Sequence, residues 1–73
     1  MYTDRIFYEM ELPERYNGMT LLFEGPFVDD CVTYYNVYYS LGANIVWIGR
    51  ASRLPLSFDE FRNHNKELSK MFP

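Results

Sequence analysis

Residues 26–42 read Pro26-Phe27-Val28-Asp29-Asp30-Cys31-Val32-Thr33-Tyr34-Tyr35-Asn36-Val37-Tyr38-Tyr39-Ser40-Leu41-Gly42, and the folding of this stretch decides the architecture. At 100° per residue, Val28, Val32, Tyr35 and Tyr39 share one stripe, and Phe27, Cys31, Tyr34, Tyr38 and Leu41 form a second beside it. Pro26 suits a first helical position, where its missing N–H is not needed. Asp29 and Asp30 suit the positive end of a helix dipole, and Gly42 suits a left-handed C-terminal cap. The spacing therefore predicts a helix from Pro26 to about Leu41.

Such a helix carries more apolar surface than one small core uses. Only Asp29, Asp30, Thr33, Asn36 and Ser40 are plainly polar. A second helix of the same chain would satisfy the extra stripe from within. The alternative is that Phe27, Tyr34, Tyr38 and Leu41 meet a second copy of the chain or another protein. Tyrosine suits that role, with a large ring, few rotamers to freeze and a hydroxyl that tolerates water.

Outward from this stretch, the flanks read as strands. Tyr2 to Leu12 alternates, with Tyr2, Ile6, Tyr8, Met10 and Leu12 on one face and Thr3, Arg5, Phe7, Glu9 and Glu11 on the other. Pro13 ends or bends it. Asn17-Gly18 is the strongest turn signal, since both residues tolerate positive φ, and Met19 to Glu24 resumes the alternation. A two-residue turn there would set Glu11 across from Glu24, an unfavourable like-charge pair that a bulge would relieve.

Beyond Gly42, Asn44 to Gly49 contains Ile-Val-Trp-Ile without alternation, the pattern of a strand buried on both faces or covered at its ends. A loop from Arg50 to Leu56 follows, and Ser57 with Glu60 forms a capping box opening a second helix. Phe58, Phe61, Leu68 and Phe72 share its inner face. Asn63-His64-Asn65 are weak helix formers, and Asn65 equally suits the cap of a separate last helix. The expected order is β-β-α-β-α. A three-stranded antiparallel sheet in the order 2-1-3 keeps the long first strand off an edge, with both helices on one face of a two-layer α+β sandwich.

With 73 residues, one small domain spanning 1–73 is expected, with a thin stability margin. The usual staples are missing: one cysteine forms no internal disulfide, and one histidine beside it builds no closed zinc site. The N-terminus lacks a signal-peptide layout, no apolar run suffices to span a bilayer, and a lone thiol fits a reducing compartment. A cytoplasmic protein without membrane contact is expected.

Net charge is −3, but unevenly spread. Residues 1–30 carry seven acids and two bases, whereas residues 31–73 carry three acids and five bases. Glu9, Glu11 and Glu24 therefore suggest an acidic face able to occupy a basic groove on another protein and compete with nucleic acid there. Inhibitors made by phages and mobile elements offer a class-level analogy for this. The nucleic-acid alternative rests on Arg50 and Arg53, just after Trp47, with Lys66 and Lys70 in support; the net charge argues against it.

Chemistry finds little footing. Cys31 with His64 is a poor nucleophile–base pair, because a cysteine on an apolar stripe is usually a small hydrophobe. Glu9, Glu11 and Glu24 offer oxygen ligands but no carbonyl-rich loop for a divalent cation. Neither a phosphate loop nor a nucleotide fingerprint occurs. No catalytic residue, metal or cofactor is expected. The sequence reading is a small acidic interaction protein, self-associating as a homodimer or serving as an accessory or inhibitory subunit.

Overall fold

A computed structural model of the protein describes residues 6–72, so the expectations for Tyr2, Thr3, Asp4 and Arg5 lie outside the described residues. The elements are strands β1 (Ile6–Glu11), β2 (Thr20–Asp29), β3 (Val32–Leu41) and β4 (Asn44–Ala51), then helices α1 (Phe58–His64) and α2 (Lys66–Ser69). A short 3-10 turn, Glu14–Tyr16, lies between β1 and β2. The four strands form one antiparallel meander in the order β1-β2-β3-β4.

This overturns the expected helix at Pro26–Leu41 and the three-stranded 2-1-3 sheet. The stretch is instead the second half of β2, a hairpin turn and β3. Asp30 (φ 54°) and Cys31 (φ 67°) both adopt left-handed backbone, the φ signature of a type I′ turn, and Asp29 pairs with Val32 across it. The physical reason lies in composition. Phe27, Val28, Val32, Thr33, Tyr34, Tyr35, Val37, Tyr38 and Tyr39 are aromatic or β-branched, and residues 26–41 contain no Ala, Glu, Lys, Arg, Gln or Met. Such side chains lose rotamer freedom in a helix and fit a pleated surface. A run this rich in apolar residues matches period 3.6 and period 2 equally, so propensity decides.

The register of β1 against β2 also differs from expectation. Glu11 faces Thr20, Tyr8 faces Phe23 and Phe7 faces Glu24. Pro13 and the 3-10 turn lengthen the connection, while Asn17 (φ 56°) and Gly18 (φ 78°) take the positive φ values their identities suit. The slip moves Glu11 four residues along β2, from Glu24 to Thr20. Because four is even, every side chain keeps its face and the like-charge pair disappears.

One face of the sheet is covered. Met10, Leu12, Leu21, Phe23, Val37 and Ala51 are buried beneath Phe61 and Phe72 of the C-terminal segment. The Phe23 and Phe61 rings meet edge to face, with centroids 5.9 Å apart at 76°. Ser57 caps α1 by accepting a hydrogen bond from the Glu60 N–H at 3.2 Å, as its capping-box spacing predicts. Asn65 separates the two helices. At Gly49, a Cβ would stand 2.5 Å from Leu68 Cδ2, so a residue without a side chain lets α2 close on β4.

β4 is not the strand buried on both faces that its Ile-Val-Trp-Ile run suggests. It is a sheet edge, with Ile45, Val46 and Trp47 exposed. Among the described residues, β1 pairs with β2 as far as Gly25, and β4 ends at Ala51 across from Tyr35.

Candidate functional site

The second face of the sheet has no helix over it among the described residues, and cross-strand pairing arranges its side chains in rows. Phe7, Glu24, Asn36 and Arg50 form one row; Glu9, Leu22, Tyr38 and Trp47 form the next; Glu11, Thr20, Ser40 and Ile45 form the third. Strand alternation puts these residues opposite the core set. In most antiparallel sheets such a face is polar. Here Phe7 and Trp47 stand 64% and 55% exposed amid carboxylates and hydroxyls.

Polar contacts hold the large rings in place. The Tyr38 hydroxyl donates to Glu24 Oε1 at 2.7 Å, and the Trp47 indole N–H donates to Asn36 Oδ1 at 3.1 Å. Phe27 stacks on Tyr34 with centroids 5.4 Å apart and planes 25° from parallel. The Arg50 guanidinium carbon lies 4.2 Å from the centroid of Tyr34, a cation–π distance. An open hollow of about 380 Å³ adjoins this trio, with Asp29, Val32, Thr33 and Ser52 among its walls. These contacts restrict the rotamers of the rings on this face.

The expected aromatic and acidic sites fall together on this face. Tyr34 and Tyr38 lie on it through the parity of β3, not as a helical stripe; the register shift between Glu24 and Phe27 brings Phe27 onto it opposite Tyr34, and Glu9, Glu11 and Glu24 share it. Leu41 does not join them: it has the parity of Val37 and Tyr39 and lies toward the opposite face, exposed at the strand end. Among the described residues, Glu9 and Glu11 form no ion pair.

The basic set is divided. Arg50 belongs to the open face. Arg53 turns to α1, where its guanidinium lies 2.9 Å from His64 Nδ1. Lys66 is exposed on α2, and Lys70 Nζ pairs with Glu67 Oε2 at 3.1 Å just after that helix. No continuous basic track unites the four.

Cys31 is exposed in the β2–β3 turn, not on an apolar helical stripe, and the His64 ring is engaged by Arg53. Asp29 and Asp30 flank or form the same turn and so face no helix dipole. Among the described residues, no group of three or more His, Cys, Asp or Glu side chains could hold a metal ion. No helix among them is long and apolar enough to cross a membrane.

Alternation already sets Phe7 beside Glu9 and Glu11, and Leu22 beside Thr20 and Glu24; sequence reasoning missed Ile45 and Trp47 as members of the face. The available signal was parity: once residues 26–41 form a hairpin, the two-residue step Gly42-Ala43 carries the polar side of β3 directly onto Ile45 and Trp47. The chain matches no protein-family model, no curated protein and no solved structure, and the functional reading therefore rests on the geometry of this face.

Proposed function

We propose that the protein is a non-enzymatic interaction module that docks onto another protein through the open face of its sheet, as an accessory or inhibitory subunit. The observation that carries this reading is the aromatic surface of this face: Phe7 and Trp47 are exposed and Tyr38 half-buried beside carboxylates, with the Tyr38 hydroxyl and the Trp47 indole held by hydrogen bonds. Aromatic anchors with satisfied polar tips concentrate binding energy at protein interfaces. The complementary partner surface is basic, because among the described residues the exposed Glu9 and Glu11 of this face form no ion pair. The same carboxylates repel phosphate, which favours a protein partner over nucleic acid.

The test is affinity capture from a native lysate with three immobilised proteins: the wild type, Tyr38→Ala/Trp47→Ala, and Leu56→Ala as a control away from the face. A protein held by the wild type and the control, but lost at least tenfold in the double variant, is expected. Its retention should also fall as salt rises. Equal retention by all three would refute docking through this face. Salt-sensitive binding of an oligothymidylate that requires Arg50 would favour nucleic acid instead.

A further inference from the structure

The two edges of the sheet are finished differently. β1 carries Glu9 and Glu11 and runs into Pro13, devices that discourage another strand from pairing. β4 carries no charge or proline from Asn44 to Gly49 and exposes Ile45, Val46 and Trp47, so apolar side chains lie uncovered on both faces of one edge. The Trp47 indole is tied back to Asn36 on the neighbouring strand, which leaves the backbone edge unshielded. Toward the other end of β4, a register shift between Val37 and Tyr38 and the packing of Leu68 on Gly49 interrupt the edge. The open segment is therefore Asn44–Ile48.

We propose that this segment pairs antiparallel with the same segment of a second copy, joining two four-stranded sheets into one of eight strands. The register follows from the backbone. The two-residue loop Gly42-Ala43 makes Leu41 and Asn44 a hydrogen-bonded pair, and alternation makes Tyr39 and Val46 the next. The N–H and C=O of Ile45 and Trp47 consequently point away from β3. A twofold axis perpendicular to the sheet keeps the two open faces on the same side, so opposed residues must have equal parity. Centring the axis on Val46 satisfies both demands: Ile45 exchanges two hydrogen bonds with Trp47 of the second copy and the reverse, while the two Val46 side chains meet on the helix side.

Charge selects a second copy paired at this edge over one stacked face to face. Stacking the open faces would bring together Glu9 and Glu11 of both copies, four carboxylates that form no ion pair among the described residues. Edge pairing instead sets the two β1 strands seven strand spacings apart, roughly 33 Å, well beyond the screening length. The charged outer edges then stop further addition, so the assembly closes as a dimer. This pairing rests on the edge alone; it enlarges the proposed docking face but does not require it.

Sedimentation equilibrium from about 10 µM to 1 mM tests the pairing, with hydrogen exchange of the Ile45 and Trp47 amides followed over the same range. The wild type should move from 8.8 kDa toward twice that mass, with both amides slowing severalfold as it does. Val46→Lys should stay monomeric with unchanged circular dichroism, since two ammonium groups would meet at the axis. A wild type that stays at monomer mass throughout would overturn the proposal, as would a folded Val46→Lys that still dimerises. If Val46→Lys does not fold, concentration-independent exchange at Ile45 and Trp47 in the wild type overturns it. Loss of partner capture in Tyr38→Ala alone, a β3 side chain off the paired edge, bears on the docking face, whereas Val46→Lys, on the helix side, bears on the edge.

Discussion

Asp30 and Cys31 carry the β2–β3 turn with φ values that Gly and Asn adopt more cheaply. A left-handed cysteine costs about 1 kcal/mol or more, so Cys31→Gly should stabilise the fold by roughly 0.5–1 kcal/mol after the added unfolded-state entropy. The check is the urea midpoint; a drop would show that the turn is not built this way. Gly25 presents the opposite case. A Cβ there would lie 2.8 Å from Tyr35 Cδ2 and 3.1 Å from the Tyr34 carbonyl oxygen. The backbone oxygen has little room to yield, so Gly25→Ala should lose about 1–3 kcal/mol in the same assay. Neither turn residue advertises itself in the sequence, because Asp-Cys is not a customary hairpin pair whereas Asn17-Gly18 is.

At the scale of elements, legibility followed how many independent signals agreed. α1 was readable because Ser57, Glu60, Phe58 and Phe61 state a cap and an inner face together, and β1 with the first half of β2 was readable from alternation. Residues 26–41 were not, because Tyr and Val at nearly every position satisfy two periods at once and the turn between the strands lacks glycine. Reading Asn44–Gly49 as buried on both faces or covered at its ends failed for a related reason: an apolar strand without alternation can be doubly buried or can be an edge awaiting a neighbour. The elements are held together by few large side chains, chiefly Phe23, Phe61 and Phe72. Phe61→Ala should cost about 3–5 kcal/mol, which is comparable to the whole stability of so small a core. Loss of near-ultraviolet circular dichroism at 25 °C is the expected result; a cooperative transition like that of the wild type would show that α1 does not seal the sheet.

For the whole molecule, the decisive property is that one layer of helix covers one face of a four-stranded sheet and leaves the other to aromatic rings and carboxylates. The aromatic and acidic residues singled out from sequence converge on that face, although a strand and not a helix places most of them there. Their identity was legible from composition; their juxtaposition required the meander. Glu9→Gln/Glu11→Gln should therefore weaken capture of the partner by roughly tenfold at low salt and flatten its salt dependence, with little change in stability because both side chains are exposed. Unaltered salt dependence in a pull-down series would remove the carboxylates from the interface. The most direct test uses Trp47, the single tryptophan, as a reporter on the open face. Acrylamide quenching of its fluorescence, measured on dilute protein alone and in the purified complex, should fall severalfold on binding. Quenching that stays the same in a complex shown to be intact would contradict docking through this face.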